Sequence, residues 1–182
     1  MTEIAGIGER RSGTEAEHRV MEHVLSRFTE IGLLEPAIEW FDIHYWEPQT
    51  TRIELLPENF SLTCKPVWYC ASTPSEGITG NAAYCGFGFP HEFAGAAGKI
   101  AVMDGRTLLH FLPSYRFFGS YDAAAQAGAL ALVIIGDTPD NLIPIFTAEE
   151  EKHDNPIPAV LLSRSAGESL RKRLAEGAVE LR

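Results

Sequence analysis

The segment Asp122–Asp137, DAAAQAGALALVIIGD, carries the two patterns that decide the fold. Its first half is rich in small residues, and this composition predicts a short helix over residues 120–129. Gly128 eases the turn from that helix into the next element. Residues 129–137 are almost wholly apolar, which predicts a strand covered on both faces. A helix that runs into a doubly covered strand indicates an α/β architecture.

The segments around this stretch continue the alternation of strands and helices. A glycine-rich loop, GFGFPHEFAGAAG, occupies residues 86–98, and a long aromatic connection, RTLLHFLPSYRFF, occupies residues 106–118. Ser165 begins a capping pattern that predicts a helix extending to about Gly177. The remaining predicted strands of this half are residues 78–85, 99–104 and 157–163, and a last strand that begins in residues 177–182.

The first half of the chain has a different pattern of predicted elements: one helix followed by short strands. The spacing of Thr14 and Glu17 fits a capping box, and an apolar residue every three or four positions predicts an amphipathic helix that ends at Gly32. Short strands are then predicted at residues 37–46, 50–56, 60–64 and 67–70. The loop at residues 72–77 marks a change of pattern. It predicts two domains, residues 1–76 and residues 77–182.

The overall charge works against polyanionic partners. Lys and Arg number 15 against 25 Asp and Glu, so the formal net charge is -10. This sign works against binding to a nucleic-acid backbone and against attraction to anionic membranes. The sequence contains no apolar run of membrane-spanning length and no signal-peptide pattern. Two locations stay open: the cytoplasm, or the outside of the cell if an export signal has been removed.

No self-contained nucleophilic or phosphate-binding motif is found. The phosphate-loop pattern fails at Phe93 and Ile100, and the dinucleotide fingerprint fails at His91. A Gly-x-Ser-x-Gly hydrolase elbow is absent. The three cysteines lie in or beside apolar segments, which favours core packing over a nucleophilic role. A disulfide between Cys64 and Cys70 and three reduced thiols both remain open.

Metal ligands are equally sparse. The six histidines are scattered, and His18 and His23 are five residues apart, so they do not share a helical face. Residues 149–154, EEEKHD, contain five side chains that could bind a metal, but they lack the spacing and the glycine of a calcium loop. A solvated acidic loop is the better interpretation. The sequence therefore assigns no catalytic residue, no metal ligand and no cofactor to this chain.

Four segments of the second half resemble the protease-associated (PA) domain. They are residues 78–90 (ITGNAAYCGFGFP), 98–105 (GKIAVMDG), 122–137 and 157–177 (IPAVLLSRSAGESLRKRLAEG). This resemblance implies a PA-type open β-barrel or sandwich sheet flanked by short helices, preceded by an N-terminal amphipathic helix and strands. Small side chains in the helix, such as Ala124, let it lie close to such a sheet.

The first half is similar to the start of the di-zinc aminopeptidases and carboxypeptidases, in which a PA domain is commonly inserted. The matching residues are Arg10–Thr14 (RRSGT), Glu17 and the pair Gly32-Leu33. These peptidases bind zinc through a His-x-Asp pair, a bridging Asp, a Glu-Glu pair and a late His. No histidine of this chain is followed two residues later by Asp, and no ligand can be carried over to a numbered residue. Zinc is therefore expected in a catalytic half that the chain lacks.

The resemblance predicts a non-catalytic, PA-domain-containing fragment of a zinc-dependent exopeptidase. It implies that the PA domain covers or shapes the active-site cleft and contacts substrate or a protein. The expected partners are a peptide substrate or the catalytic domain of the same protein. A free-standing PA-like module that binds peptides or assembles by itself is the alternative. An N-terminal helix without its covering domain would expose an apolar stripe, which favours homo-oligomers.

The candidate contact surface is an aromatic and arginine cluster on two loops. Loops carry binding residues, and aromatic side chains and arginine are enriched at interfaces. Completion of a local core by the same rings is the competing interpretation. The predicted contact residues are His110, Phe111, Tyr115, Arg116, Phe117, Phe118, Phe87 and Phe89.

Overall fold

The structure is a computed structural model that describes residues 2–105, 113–148 and 155–182, with only the backbone described at residue 2 and at residues 113–118. The chain divides into two compact units, residues 1–46 and residues 47–182. Each unit has its own packing.

The first unit is built on one amphipathic helix. It contains the short helix α1 (Thr2–Gly6) and the longer helix α2 (Glu15–Glu30). The predicted cap is confirmed, because the Thr14 Oγ1 accepts a hydrogen bond from the Glu17 backbone N–H at 3.3 Å. The Glu17 carboxylate in turn accepts from the Gly13 N–H at 2.6 Å. Gly32 follows the helix with a φ of 79°, the left-handed conformation that glycine adopts without strain.

The strand predicted at residues 37–46 is wrong. The described backbone there forms no regular strand, although it packs back on the start of α2. The ring of Trp40 lies 4.9 Å from that of His18 in an edge-to-face contact. A strand needs a hydrogen-bonded partner, which periodicity in a sequence cannot supply. None of residues 3–46 is buried, so this unit has no closed core of its own among the side chains that the structure describes.

The second unit is an eight-stranded sheet. Its spatial order is β2-β1-β8-β4-β5-β6-β7-β3, with β4 to β7 parallel and the other pairs antiparallel. The strands are β1 (Glu54–Leu56), β2 (Phe60–Ser61), β3 (Cys64–Pro66), β4 (Gly80–Tyr84), β5 (Ile100–Asp104), β6 (Ala131–Ile135), β7 (Ala159–Leu162) and β8 (Glu180–Leu181).

The sheet curls into a half-barrel because its two outermost strands are consecutive in the chain. Only Leu62 and Thr63 separate β2 from β3. The Leu62 N–H donates to the Ile53 carbonyl, and the Thr63 carbonyl accepts from the Ser163 N–H, both at 2.9 Å. The two edges of the sheet are therefore drawn together, and the predicted PA-type fold is confirmed.

Both faces of the central strands are covered, as the sequence predicts for residues 129–137. On the first face, the helix α3 (Pro113–Gln126) and a 3₁₀ helix (Pro90–Gly95) pack on the sheet, with Phe93 and Tyr121 fully buried. On the second face, the helix α4 (Arg164–Glu176) buries Leu170 against β6 and β7. A second 3₁₀ turn, Pro139–Asn141, precedes β7.

The cap of helix α4 lies two residues earlier than predicted. The structure places it at Ser163, whose Oγ accepts from the Ala166 N–H at 3.3 Å, so the predicted cap at Ser165 is wrong. Only Ser165 is followed three residues later by a glutamate, which favours it in the sequence, but β7 ends at Leu162 and the helix begins at Arg164. Farther along the helix, Arg171 donates at 2.9 Å to the fully buried carboxylate of Asp104 at the end of β5. This ion pair ties α4 to the sheet.

The predicted division between residues 76 and 77 stays a prediction. Strands β1 to β3 lie before that position, yet they belong to the sheet of the second unit. None of the helices that the structure describes is long and apolar enough to cross a membrane.

Candidate contact site on the glycine-rich loop

The loop between β4 and β5 has a fixed conformation at its tip. Gly86 and Gly88 adopt φ values of 49° and 77°. A single carboxylate oxygen of Glu92 accepts from the N–H of Phe87 at 3.0 Å and from that of Phe89 at 2.8 Å. A Cβ at Gly86 would lie 2.0 Å from the other Glu92 carboxylate oxygen. Glycine is therefore needed for both the turn and the carboxylate contact.

The same loop presents aromatic rings to solvent. Phe87 is 38% exposed and Phe89 is 42% exposed, so these two predicted contact residues lie on the surface and not in a core. The Phe89 ring stacks on that of His91 with centroids 5.9 Å apart. Exposed aromatic side chains on a rigid backbone bind a partner at low cost in conformational entropy. The arrangement can therefore bind a peptide or a protein surface.

Helix α3 lies directly against this loop. The buried Ser120 Oγ donates to the Gly88 carbonyl at 2.7 Å, and a Cβ at Gly88 would lie 3.0 Å from the same Oγ. This contact joins the loop to the part of the chain that carries the other predicted contact residues. Tyr115, Arg116, Phe117 and Phe118 lie in the first turns of α3, where only the backbone is described. His110 and Phe111 lie outside the described residues.

Two residues of this site were missed by the sequence analysis. Glu92 has a recognisable signal, because an acidic residue in the first turn after Pro90 is favoured at the start of a helix. Its role in holding the Phe87 and Phe89 amides follows from the turn at Gly86, which the sequence does not specify. Ser120 has no signal, since a single serine in a small-residue helix predicts no particular contact.

The cysteines do not form a reactive site. All three are free thiols, which decides against the Cys64–Cys70 disulfide that the sequence left open. Burial raises the pKa of Cys64 to about 11 and also raises the pKa values of Cys70 and Cys85. These thiols stay protonated at neutral pH, and the thiolate is the nucleophilic form. Core packing of Cys70 and Cys85, as favoured by the sequence, is confirmed.

Within residues 2–105, 113–148 and 155–182, no three His, Cys, Asp or Glu side chains come together as metal ligands. The acidic segment at residues 149–154, interpreted above as a solvated loop, lies outside the described residues.

Comparison with known proteins gives one family and several related structures. The model of the PA domain family matches residues 66–170. A peptidase M28 precursor from Shewanella amazonensis SB2B superposes with a TM-score of 0.73 at 18% identity, over 96% of this chain and 42% of that one. Among curated proteins no significant match is found.

Two further structures give the same result. A zinc aminopeptidase from Bacillus subtilis has a TM-score of 0.65 at 24% identity, over 98% of this chain and 39% of that one. An aminopeptidase from Aneurinibacillus sp. strain AM-1 has a TM-score of 0.64 at 18% identity, with 98% and 41% covered. The chain spans about two fifths of the length of these structures. The match includes the N-terminal unit as well as the sheet, as the sequence resemblance predicts.

Proposed function

Because this chain belongs to the PA domain family, we propose that it is the PA-domain-bearing part of a zinc-dependent exopeptidase and does not catalyse hydrolysis by itself. In the complete enzyme the PA domain covers the active-site cleft, and its glycine-rich loop contacts the substrate or a protein partner. Zinc resides in the catalytic domain, where it activates a water molecule for attack on the peptide carbonyl.

The observation that carries this proposal is that both units align together with peptidases that are more than twice as long. A PA domain alone would account for the second unit only, whereas 96–98% of the chain is covered. The zinc aminopeptidase among these structures supports zinc as the metal of the parent enzyme.

The packing of the first unit supports a covering domain. Its large apolar side chains are exposed, with Phe41 at 82% and Leu34 at 91%. Exposed apolar surface on this scale marks an interface. A catalytic domain that packs on residues 1–46 would bury these side chains.

The first test concerns the complete enzyme. We expect the reading frame beyond Arg182 to encode the His-x-Asp and Glu-Glu motifs, and the longer protein to hydrolyse aminoacyl-anilides with zinc. The 182-residue chain with added zinc should show no turnover. A stop codon directly after Arg182, or metal-dependent turnover by the chain alone, would refute the proposal.

The second test concerns the contact role of the glycine-rich loop. In the longer protein, Phe87→Ala with Phe89→Ala should raise KM for a peptide substrate several-fold at unchanged kcat, because such a contact contributes binding that is equal in the ground and transition states. Phe60→Ala is the control, since Phe60 is at least as exposed, at 54%, but lies on strand β2. An unchanged KM in the double variant would contradict the contact with substrate, and the loop would then be assigned to contact with a protein partner.

The alternative of a free-standing module is favoured by one feature. The second unit closes its own two cores around the sheet, and its glycine-rich loop carries the exposed rings of Phe87 and Phe89. The 182-residue chain would then bind peptides on its own, and this binding would be weakened by the same double variant. Peptide binding together with a stop codon after Arg182 would decide for the module.

A further inference from the structure

A cavity of about 380 Å³ opens on the second face of the sheet, away from the glycine-rich loop. Helix α4 covers only the carboxyl half of this face, where Ala166 and Leu170 pack. The first residues of three parallel strands, Ile100, Ala131 and Ala159, all line the cavity, which places it at the amino ends of β5, β6 and β7. Its volume falls in the range of about 300–1,000 Å³ that is typical of small-molecule sites.

The floor of the cavity is aliphatic. Ile100 and Val133 are buried, whereas Ile78, Ala131 and Val160 are only partly buried and offer apolar surface to an occupant. Branched aliphatic side chains in a concave site bind an aliphatic group by removing its surface from water. The floor therefore selects an occupant with an aliphatic part.

The rim carries both signs of charge. Arg52 and Arg182 line one side, and both turn toward the Glu54 carboxylate. Arg182 lies 2.6 Å from Glu54, but Arg52 Nε is 3.9 Å away, beyond hydrogen-bond distance, and its side chain is 63% exposed. Two guanidinium groups that share one carboxylate leave a positive charge at the rim. Glu76 contributes a carboxylate to the same rim.

We propose that this cavity binds a free aliphatic L-amino acid such as leucine. The aliphatic side chain lies on the floor, the α-carboxylate pairs with Arg52, and the α-ammonium pairs with Glu76. Thr73 and Ser75 also line the cavity, and the Ser75 Oγ donates to the Glu76 carboxylate at 3.1 Å. A free amino acid is also the class of product that an exopeptidase releases, but the assignment follows from the lining of the cavity and does not depend on the proposed function.

The direct test is a titration of the isotope-labelled 182-residue chain with small ligands, followed by NMR of the methyl groups of Ile78 and Val160. L-Leucine should cause saturable shifts at these methyls. Leucinamide lacks the carboxylate and N-acetylleucine lacks the ammonium, so each should bind at least about tenfold more weakly, as expected for the loss of one charged hydrogen bond. Glycine lacks the aliphatic group and should cause no saturable shift.

These ligands also distinguish a free amino acid from the end of a peptide chain, because each chain end carries only one of the two charged groups. Leucinamide mimics the amino end of a peptide and N-acetylleucine mimics its carboxyl end. If N-acetylleucine binds as tightly as leucine, the site takes a peptide carboxyl terminus and the free amino acid is the wrong assignment. Tight binding of leucinamide would overturn the Arg52 contact, and no saturable shift with leucine would overturn the site as a whole.

Variants test the two charged contacts in the protein. Arg52→Gln should weaken leucine binding about tenfold, and Glu76→Gln should do the same through the ammonium. Arg173→Gln is the matched control, because Arg173 is an arginine paired with Glu58 at 2.9 Å and does not line the cavity. Ala131→Leu should fill the floor and abolish binding, with the dispersion of the spectrum as the check of folding. Leucine affinity that survives both charge variants would contradict the proposed orientation.

Discussion

The carboxylate of Glu54 takes part in the contact between two strands of the second unit. It lies on β1, the strand that pairs with β8, and its backbone exchanges two hydrogen bonds with Arg182, at 2.9 and 3.0 Å. Its carboxylate also accepts from the Arg182 guanidinium at 2.6 Å. The hydrogen bond from Arg182, with a further contribution from the charge of Arg52, lowers the pKa of Glu54. The ion pair thus reinforces the place where two ends of the unit come together.

This lowered pKa predicts a pH dependence of stability. A carboxyl group whose pKa is lower in the folded than in the unfolded chain contributes stability above its unfolded pKa, about 4.3 for Glu. That contribution is lost as the pH falls through the lower, folded pKa. Glu58, whose pKa is lowered by its hydrogen bond with Arg173, acts in the same direction. We therefore expect the urea midpoint of the chain to decrease as the pH is lowered past the unfolded pKa of Glu, about 4.3, and on through the lower pKa values of the folded chain.

Substitution isolates the two carboxylates. Glu54→Gln should make the urea midpoint depend less steeply on pH at acid pH, and Glu58→Gln should have the same effect. The double variant should show the weakest pH dependence. Each substitution also lowers the midpoint at pH 7, because the charged partner is lost. An acid limb that keeps its slope in the double variant would assign the pH dependence to other carboxyl groups.

Single residues of the candidate site differ in how far the sequence could predict them. Phe87 and Phe89 stand between glycines and a proline, and this pattern places aromatic rings on a loop, where the structure has them. Their orientation depends on Glu92, which reaches back across the turn, and on Ser120, which is distant in the chain. Contacts of this kind depend on the final packing, so no local pattern in the sequence reports them.

At the scale of elements, the parallel strands were the most predictable part. Apart from Asp104 at the end of β5, strands β5, β6 and β7 consist of apolar residues, and each is found close to its predicted position. The strand predicted at residues 37–46 fails for the opposite reason. Its alternation of apolar and polar residues is clear, but the described structure offers it no strand to pair with. Strand formation depends on the partner as much as on the pattern.

Alanine substitutions at two glycines, one in each helix that packs on the sheet, should change the stability of the chain in opposite directions. A Cβ on Gly167 in α4 would lie 2.3 Å from the Ile135 Cγ2, in a fully buried contact with β6. Among the neighbouring side chains that the structure describes, none comes within 4 Å of a Cβ placed on Gly119 in α3. Gly167→Ala should therefore destabilise the chain by about 1–3 kcal/mol through overpacking. Gly119→Ala should stabilise it by about 0.5–1 kcal/mol, because alanine favours the helix.

Chemical denaturation of both variants checks this pair. The two substitutions are identical in chemistry and both lie inside helices, so helix propensity is the same in each and the difference measures the close approach of α4 to the sheet. Equal effects of the two substitutions would mean that Ile135 moves aside without cost. The prediction of close helix packing would then have to be withdrawn for α4.

For the whole molecule, the resemblance to the PA domain anticipated the kind of fold. The apolar strands and the small-residue helix by themselves indicated only an α/β architecture, and the open barrel or sandwich sheet was what the resemblance implied. An exposed apolar stripe on the N-terminal helix was expected, and large apolar side chains of residues 1–46 are exposed in the structure, with Phe28 at 43% and Leu34 at 91%. How completely each unit closes a core depends on tertiary packing, which composition does not report.

This difference predicts how the chain behaves in solution. Residues 47–182 contain both apolar cores, so expressed alone they should unfold cooperatively and remain monomeric. The full chain should bind the apolar dye ANS and self-associate, because apolar side chains of residues 1–46 lie exposed. Light scattering after size-exclusion chromatography measures the association, and Trp40→Ser with Phe41→Ser should reduce both dye binding and the apparent mass. Leu142→Ser is the control, since Leu142 is a similarly exposed apolar residue of the second unit. A monomeric full chain without dye binding would mean that residues 1–46 cover their apolar side chains without a catalytic domain, and the main structural support for a missing partner would be lost.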